Sequence, residues 1–364
     1  MKNSCVLLLG TVLAGAVFVS CDKDEYLPPD KNKYIYDIPQ ITLTESARVG
    51  AYYTNIATTY WRKDGAPQYT GTPVLGEYTS LTESVMEQHV EWADEAGLDY
   101  FVFGWNAGST DDALLSLFAS KRAADGVRMV VNFNTSHLGI SNDQPLQSDE
   151  KLTQMRTEFT EKMLPLFQSD AYFRVGDRPV VLISPVNLSS AALNSIDYSQ
   201  VLPALRDEMA AYGIDLYIIG EFTNGWTAPV NYPRNNLAPF DGITLKDWST
   251  NDYDRRFGYF SFIDLNWQNW TRFLSPLGTD FVPCVFPSYD DKVYSPTSTD
   301  YTFGKGGSTE DYVTNCNLAK KNMGPQRLIL LNSWNNFQKG TNLEPTTENK
   351  SAYLGVTRAQ FIVE

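Results

Sequence analysis

The chain has 364 residues, of which 43% are hydrophobic, 13% aromatic and 20% charged. This length and composition suit one large domain or two ordinary ones, and they exclude a small binding module and a disordered or fibrous protein. The formal net charge of −14 provides no general attraction for a phosphate backbone, so nucleic acid is not an expected partner.

The first 20 residues are predicted to be a signal peptide. Lys2 gives a positive start, residues 6–19 form an apolar run too short to span a bilayer, and Ser20 precedes Cys21. A small residue before a cysteine resembles a bacterial lipoprotein signal, which implies lipidation of Cys21. The acidic residues that follow resemble the tethers of surface lipoproteins in Bacteroides-type bacteria. We therefore expect an outer-membrane lipoprotein exposed at the cell surface, with ordinary secretion as the alternative.

Residues 21–39 are predicted to form the lipid-anchored acidic tether, and residues 40–364 the folded domain. Eight short apolar runs follow in this domain, and continuous apolar runs are typical of strands that are covered on both faces. The predicted strands are Val49–Tyr53, Tyr100–Gly104, Arg128–Asn132, Pro179–Ile183, Leu216–Gly220, Gly242–Leu245, Phe281–Val285 and Arg327–Leu331.

Amphipathic segments that predict helices separate these strands. The clearest is Leu81–Gly97, where apolar residues recur at spacings of three and four, residues 80–83 read as a capping box, and Gly97 marks the end. Further helices are predicted at 111–125, 149–168, 198–212, 266–274 and 309–322.

This alternation of strands and helices indicates parallel βαβ units. Eight strands in about 310 residues predict an α/β fold, a (β/α)8 TIM barrel in a single large domain with enlarged βα loops. A doubly wound open sheet is the alternative, but no glycine-rich turn typical of nucleotide binding follows any predicted strand.

Polar and aromatic residues follow the predicted strands, and the carboxyl ends of all strands meet at one face of such a barrel. Amides and flat aromatic rings suit the hydroxyl-rich rings of sugars, so we expect an oligosaccharide or polysaccharide to bind there. The candidate binding residues are Tyr53, Trp105, Asn106, Asn134, Trp248, Tyr289, Asn335, Asn336 and Lys339. The candidate acids are Glu221, Asp247 and Asp290. The wider set at the strand ends includes Tyr52, Asn132, Ser184, Lys246 and Asp291.

Histidine and cysteine residues argue against other kinds of site. His89 and His137 are the only histidines and lie far apart, which argues against zinc binding and a His-based triad, and we expect neither a metal nor a cofactor. His89 lies on the apolar stripe of the first predicted helix and is expected in the core. Cys284 and Cys316 could form one disulfide or remain buried thiols.

Five segments, in chain order, carry a resemblance to a known family. They are Val74–Ser80, Val85–Trp105, Tyr172–Val181, Pro287–Asp291 and Asn332–Pro345. They resemble glycoside hydrolase family 99 and its WbsX-like relatives, and they extend over nearly the whole mature chain. The resemblance implies a (β/α)8 barrel that acts on α-mannose-type linkages by endo cleavage with retention of configuration, without a metal.

The resemblance also implies that two glutamates of the loop after strand eight are the essential acids. The matching positions here hold Asn336 and Lys339. An asparagine side chain cannot exchange a proton near neutral pH, and glycoside hydrolysis ordinarily needs two carboxyl groups. We therefore expect a surface protein that binds a polysaccharide, α-mannan-like by analogy, with other glycan-uptake proteins as candidate partners.

Two alternatives remain open at this point. The first is an active, endo-acting glycoside hydrolase that uses Glu221, with Asp247 or Asp290 as its partner. The second is a structural or adhesive surface protein without an open cleft.

Overall fold

The computed structural model describes residues 35–185, 196–222, 234–246, 258–304 and 308–364. Nine parallel strands form one sheet at its centre. In chain order these are β1 (Arg48–Tyr53), β4 (Tyr100–Trp105), β5 (Arg128–Asn134), β7 (Arg178–Ser184), β8 (Tyr217–Phe222), β9 (Gly242–Leu245), β10 (Asp280–Val282), β11 (Cys284–Val285) and β12 (Leu328–Leu331). Three short strands, β2 (Arg62–Lys63), β3 (Ala66–Pro67) and β6 (Arg174–Val175), make antiparallel pairs beside it.

The parallel sheet curves into a barrel. Its strand order is β10-β9-β8-β7-β5-β4-β1-β12-β11, and only Pro283 separates the two end strands, β10 and β11. These two therefore act as one interrupted strand, and the barrel has eight strand positions. The carbonyl of Pro283 accepts a hydrogen bond from Leu330 N–H at 2.9 Å, which continues the pairing across the interruption.

Helices surround this barrel. The α-helices are α1 (Glu83–Ala96), α2 (Ser109–Lys121), α3 (Asp149–Glu158), α4 (Leu164–Phe167), α5 (Tyr198–Ala210), α6 (Tyr259–Leu274), α7 (Glu310–Asn322) and α8 (Ala352–Phe361). A π-helical turn, Phe159–Met163, joins α3 to α4. Short 3-10 helices lie at Thr58–Tyr60, Thr135–Leu138, Arg234–Asn236 and Ser275–Leu277.

The prediction of a single (β/α)8 barrel is confirmed, and the open-sheet alternative is wrong because the sheet closes on itself. All eight predicted strands are present, with ends that differ by at most two residues, and Gly242–Leu245 has the predicted bounds. Helix α6 begins at Tyr259 rather than at Asn266, because Tyr259 and Ile263 are buried in its first turns. Helix α8 was not predicted; it packs against α1 and α7 through a buried face that includes Leu354 and Phe361.

The start of α1 corrects one local prediction. The helix begins at Glu83 with Thr82 as its N-cap, and no side chain caps it. Ser80 is buried instead, and its Oγ accepts from Ile56 N–H at 2.8 Å and donates to the Thr54 carbonyl at 3.1 Å. The predicted capping box is therefore wrong, because the hydroxyl it required stabilises the loop after β1.

Alternate residues of each strand point into the barrel or toward the helices. On β1 the ring of Tyr52 belongs to the barrel interior, together with Tyr100 and Val102, whereas Tyr53 packs in the helix layer. Gly50 makes room for this interior, because a Cβ atom there would lie 1.9 Å from the Tyr100 ring. This alternation decides which strand-end residues reach the functional face.

The structure also bears on the two cysteines and on the segment that was predicted to be a tether. Cys284 and Cys316 are buried and form no disulfide with each other, so the disulfide alternative is not supported. Burial raises the pKa of Cys316. Tyr36, in the segment predicted as a tether, donates a hydrogen bond to Asp264 of α6.

Within the described ranges, no helix combines the length and apolar character that crossing a membrane requires. Cys21 lies outside those ranges.

Candidate functional site

Inward-pointing polar residues surround the barrel at the carboxyl ends of its strands, and we call them the mouth ring. Side chains along a strand alternate between its two faces, so a residue two positions after an inward-facing position also points inward. Each member of the mouth ring lies two positions after such an inward-facing position of the same strand. The members are Tyr52 at the end of β1, Asn132 on β5, Ser184 on β7, Glu221 on β8, Thr244 and Lys246 at the end of β9, and Asn332 after β12.

Glu221 is the carboxylate of the mouth ring. Its side chain is almost fully buried, and its Oε2 accepts a hydrogen bond from Asn132 Nδ2 at 2.8 Å. On the other side, Glu221 is the register partner of Thr244. The structure therefore places this candidate acid inside the barrel mouth, where an amide from another strand fixes its orientation.

A second set of contacts joins β9 to two more strands, β1 and β12, across the mouth. Lys246 Nζ lies 4.7 Å from the centroid of the Tyr52 ring, a cation–π contact. The backbone carbonyl of Lys246 accepts from Asn332 Nδ2 at 3.0 Å. Amide, amine and phenol groups thus converge on one interior space, and each can exchange hydrogen bonds with hydroxyl groups.

The mouth is open on the side of β4. Gly104 occupies the inward position on this strand, between β1 and β5, and is the register partner of Asn132. It is exposed, and a Cβ atom built on it would have no atom of the described residues within 4 Å. A ligand can therefore approach the amide of Asn132 from this side.

Asn335 and Asn336, two predicted binding residues in the loop after β12, have different roles. Asn335 is fully buried, and its amide accepts from Thr54 N–H at 2.7 Å and donates to the Thr54 carbonyl at 3.1 Å. It therefore fixes the loop after β1 and does not face a ligand, contrary to prediction. Asn336 is partly exposed, and its Oδ1 accepts from Tyr60 hydroxyl at 3.3 Å and from Lys339 N–H at 3.2 Å.

The side chain of Lys339 reaches the loop after β11. Its Nζ lies 3.7 Å from Asp291 Oδ2 and 5.9 Å from the centroid of the Tyr289 ring. Tyr289 is buried and its hydroxyl donates to Asp300 Oδ2 at 2.9 Å. Burial and this hydrogen bond both raise the pKa of Tyr289. The predicted sugar contact of Tyr289 is not supported, because its hydroxyl is already used and its ring is covered.

Asp290 lines a different cavity. Its carboxylate accepts from Lys292 N–H at 3.2 Å. Asp290 borders a pocket of about 330 Å³, which is also lined by Thr70, Gly71, Ser288, Phe303, Gly304, Gly340, Asn342, Thr346, Glu348 and Asn349. No member of the mouth ring lines this pocket. Asp290 and Glu221 therefore do not face one cavity as the predicted pair requires.

Two predicted sugar-binding rings lie in the core instead. Trp105 is 1% exposed, stacks on Phe133 at 5.3 Å between centroids, and donates from Nε1 to Asp112 at 2.8 Å. Tyr53 is 5% exposed, and its hydroxyl is 2.8 Å from His89 Nδ1. Both rings face the helix layer, because each lies one position away from an inward residue. Neither presents a face to a sugar.

Two predicted asparagines lie at the ends of β4 and β5: Asn106 is in the loop after β4, and Asn134 is the last residue of β5. Asn134 accepts from Ser136 N–H at 2.9 Å through its side chain and so caps the 3-10 helix Thr135–Leu138. Asn106 is exposed, and its backbone N–H donates to Asp111 at 2.9 Å. The remaining candidates, Asp247 and Trp248, lie outside the described residues. In the part of the chain that is described, no three His, Cys, Asp or Glu side chains are grouped to hold a metal ion.

A buried polar network lies behind the loop after β12. His89 and Glu344 are fully buried, and His89 Nε2 lies 3.4 Å from Glu344 Oε1. Tyr78 donates to Glu344 Oε2 at 2.5 Å, and burial together with this carboxylate raises the pKa of Tyr78. The prediction that His89 is a core residue is confirmed. Tyr78 and His89 thus hold Glu344 in the core.

Comparisons with known proteins agree with this architecture. The model of the family described as glycosyltransferase WbsX matches residues 55–357. A solved structure named glycoside hydrolase-like protein has a TM-score of 0.78 and 24% identity, over 92% of this chain and 99% of its own. The GH99 endo-alpha-mannosidase from Bacteroides thetaiotaomicron has a TM-score of 0.59 and 17% identity, over 87% of this chain and 97% of its own. No curated protein matches the chain. At these identities, the solved structures establish a shared fold.

Proposed function

The chain belongs to the WbsX family, and we propose that it is a carbohydrate-binding protein that holds a glycan in a glycoside hydrolase-type barrel without cleaving it. One observation supports this above all: among the described residues of the barrel mouth, the mouth ring contains amides, an amine, hydroxyls and one carboxylate, Glu221. The two strand-eight positions where the family resemblance implies acids hold an amide, Asn336, and an amine, Lys339.

The chemistry of these groups favours binding over hydrolysis. Cleavage of a glycosidic bond ordinarily needs one carboxyl group that donates a proton and a second that acts as base or nucleophile. The amide of Asn336 can do neither, and it accepts hydrogen bonds from Tyr60 and Lys339. Losing a catalytic carboxylate typically removes several kcal/mol of transition-state stabilisation, whereas amides and an ammonium still hold sugar hydroxyls.

We propose an α-mannan-like polysaccharide as the ligand. The support is an analogy: one structural relative is named as an endo-alpha-mannosidase. The open side of the mouth at Gly104 gives a long ligand a way in, which also argues against a purely structural or adhesive protein with a closed barrel.

A glycan-array screen paired with product analysis tests this proposal. We expect the purified protein to retain α-mannan in affinity electrophoresis, to release no reducing ends, and to lose retention in Asn132→Leu, because this change removes a mouth-ring amide. Lys350→Gln, at an exposed loop position, is the control and should bind like the wild type. Saturable release of reducing ends by the wild type would show that the protein is an enzyme.

The second candidate function is an endo-acting glycoside hydrolase that uses Glu221. The burial of Glu221 at a strand end and its hydrogen bond from Asn132 favour this candidate, since catalytic carboxyls are commonly held in this way. If the protein cleaves glycans, Glu221→Gln should abolish turnover and leave binding intact, because glutamine can still accept the hydrogen bond from Asn132. Activity that persists in Glu221→Gln would exclude Glu221 as the acid.

We also propose that the mature protein is a lipoprotein anchored at Cys21 in the outer membrane and exposed at the cell surface. The support is the signal-like sequence before Cys21. Metabolic labelling with a fatty acid should mark the wild type and not Cys21→Ser. Protease added to intact cells should degrade the wild type if the barrel faces outward, and protection of the barrel in intact cells would contradict this orientation.

A further inference from the structure

A segment outside the sheet precedes β1, residues 35–47, and we call it the strap. Its first residue lies at the start of α6. A Cβ atom at Gly258, the N-cap of this helix, would be 3.1 Å from Ile35 Cγ2. The strap ends where β1 begins, at Arg48. The place at which the preceding chain joins the barrel therefore depends on which end of the barrel the start of α6 occupies.

The start of α6 lies on the mouth side. In a (β/α)8 barrel, each helix begins near the carboxyl end of the preceding strand and runs back toward the other end. The ring of Tyr259, the first residue of α6, has its centroid 4.7 Å from that of Tyr301 and 5.5 Å from that of Phe303. Both partners belong to the loop after β11, where Phe303 pairs with Tyr289. Ile35 therefore lies beside the mouth.

The strap ends at the base of the barrel, the end where the parallel strands begin. Ala47 N–H donates to the carbonyl of Phe361, the last residue of α8, at 2.8 Å. Arg48 N–H donates to the carbonyl of Arg327, just before β12, also at 2.8 Å. The strap thus runs along the outside of the barrel from the mouth to the base.

Hydrogen bonds hold the strap against α6 and α7 between these two ends. The Tyr36 hydroxyl donates to Oδ2 of the fully buried Asp264 at 2.5 Å, and its ring centroid lies 5.4 Å from Lys321 Nζ. Farther along, Ile41 N–H donates to Asn317 Oδ1 at 2.9 Å. The chain before the strap therefore joins the folded barrel at a fixed place on the mouth side.

The length of the chain limits how far this place can lie from the expected lipid anchor. Residues 22–34 separate Cys21 from Ile35, and a chain of this length spans at most about 50 Å. Helix α6 has 16 residues, so its two ends, at the mouth and toward the base, are about 24 Å apart. An anchor at Cys21 therefore keeps the mouth closer to the bilayer than the base.

We propose that the lipidated protein presents its mouth toward the membrane and its base toward the medium. This inference rests on the proposed lipidation of Cys21, and it goes beyond the proposed glycan binding, which requires no particular orientation. A glycan held by the mouth ring would lie between the barrel and the bilayer, in a gap that the chain length limits to about 50 Å. It would be released at the membrane surface rather than toward the medium.

Energy transfer to a membrane dye tests this orientation. The full-length lipidated protein is reconstituted in vesicles of phosphatidylethanolamine and phosphatidylglycerol that contain a rhodamine-labelled lipid as the acceptor. A donor dye is attached to one introduced cysteine. Cys284 and Cys316 are buried, Cys5 lies in the predicted signal peptide, and Cys21 carries the lipid, so the introduced thiol is the one that reacts.

Two positions at each end of the barrel receive the donor dye, and all four are 41–50% exposed. Val74 and Val293 are on the mouth side, since Val74 N–H donates to the Pro345 carbonyl of the loop after β12 and Val293 lies in the loop after β11. Tyr212 and Val363 are at the base, just after α5 and α8. The variants are Val74→Cys, Val293→Cys, Tyr212→Cys and Val363→Cys.

We expect energy transfer from the two mouth positions to be about twofold higher or more than from the two base positions, because the ends of α6 are about 24 Å apart. Inserting about twenty glycine and serine residues between residues 34 and 35 is the control, and it should make the four positions equal, because a long flexible chain lets the barrel turn over. Circular dichroism identifies any variant that fails to fold, and the second position at the same end then gives the comparison.

The outcomes separate this inference from the proposals on which it builds. A wild type that takes up no fatty acid and does not bind to vesicles overturns the lipid anchor, and the orientation with it. A lipidated wild type whose base positions transfer energy as efficiently as its mouth positions, or more efficiently, overturns the orientation alone. Glycan retention by the soluble Cys21→Ser variant tests glycan binding independently of both.

Discussion

At the scale of single residues, Gly104 leaves the β4 side of the barrel mouth without a side chain. The inward positions near the carboxyl ends of β1 and β5 hold the side chains of Tyr52 and Asn132. Gly104 is the register partner of Asn132, and no described atom lies within 4 Å of the place that its Cβ would take. Its backbone φ is not in the left-handed region, so a side chain can be introduced there without backbone strain.

We expect Gly104→Trp to abolish glycan retention while leaving the free energy of unfolding within about 1 kcal/mol of the wild type. The indole would extend into the open side of the mouth over Asn132, and its Cβ atom would have no described atom within 4 Å. Gly355→Trp is the matched control, because Gly355 on α8 is exposed and also has open space around it. Affinity electrophoresis measures retention. Wild-type retention by Gly104→Trp would show that ligands do not enter the barrel.

Adjacent residues of one strand show why the site was only partly predictable. Tyr52 and Tyr53 are both tyrosines at the end of β1, yet one faces Lys246 in the mouth and the other bonds to His89 in the core. A continuous apolar strand has no polar alternation that would assign its faces. The sequence therefore identified the strand ends, and the strand-end residues that it predicted included Tyr52 and Lys246. It could not show which of these side chains point into the barrel.

At the scale of elements, Gly97 lies where the end of the first helix, α1, packs against the end of the last helix, α8. Gly97 ends α1 with φ of 73°, and its N–H donates to the Asp94 carbonyl at 3.1 Å. A Cβ atom at this position would lie 2.7 Å from Ile362 Cγ1, at the end of α8. Gly97 thus satisfies a turn that needs positive φ and a close approach between two helices.

Gly97→Ala should destabilise the protein by about 2 kcal/mol, from backbone strain together with the displacement of Ile362. Gly213→Ala isolates the strain, since Gly213 follows α5 with φ of 76° and has no atom within 4 Å of an added Cβ. It should cost only about 1 kcal/mol. Urea unfolding measures both free energies. Equal losses would mean that the contact between α1 and α8 relaxes at no cost.

A histidine–carboxylate pair joins α3 to the 3-10 helix after β5. His137 Nε2 lies 2.7 Å from Glu158 Oε2, and both side chains are largely buried. Burial lowers the pKa of His137, but the hydrogen bond and the attraction of Glu158 outweigh it, so the pKa is raised overall. A raised pKa in the folded state means that the bound proton stabilises the fold. This contribution is complete below the ordinary histidine pKa of about 6.5 and is lost as the pH rises through the raised value.

The wild type should therefore lose more stability than His137→Gln between about pH 6 and about pH 9. We expect the difference to stay below about 1 kcal/mol, because solvent that reaches the exposed edges of this largely buried pair screens the attraction. Glutamine keeps a donor toward Glu158 but does not titrate. Urea unfolding at both pH values measures the difference. Identical pH dependence in the two proteins would show that the pair does not contribute to stability.

At the scale of the whole molecule, the barrel was predictable because its strands are buried on both faces and its helices have apolar stripes. Helix α8 was missed because the signal for it lies in tertiary contacts: its buried Tyr353 and Thr357 meet Tyr312 of α7. Pro283, in the middle of the predicted seventh strand, interrupts that strand because proline cannot donate to a ladder. The barrel still closes, because β10 and β11 pair with different neighbours.

The segment before β1 also belongs to the barrel. It lies against α6 and α7, where Ile41 N–H donates to Asn317 at 2.9 Å and Lys320 donates to the Ile41 carbonyl at 2.6 Å. Asp264 is the centre of this attachment, because it is fully buried and accepts from Tyr36 at 2.5 Å and from Lys321 at 2.6 Å. Burial raises the pKa of Asp264, but these hydrogen bonds outweigh it and lower the pKa overall.

Asp264→Asn should cost about 2–4 kcal/mol, since it leaves Lys321 without its buried partner, whereas Tyr36→Phe should cost only about 1 kcal/mol, the typical value of one hydrogen bond. Because the pKa of Asp264 is lowered in the folded state, its contribution is present above about pH 4 and is lost as the pH falls through the lowered value. Asp264→Asn should therefore lose less stability than the wild type on acidification, as measured by urea unfolding at about pH 7 and about pH 3. If both substitutions cost the same at neutral pH, the attachment depends on the tyrosine contact alone, and the first residues of the barrel are held by Tyr36 rather than by the ion pair between α6 and α7.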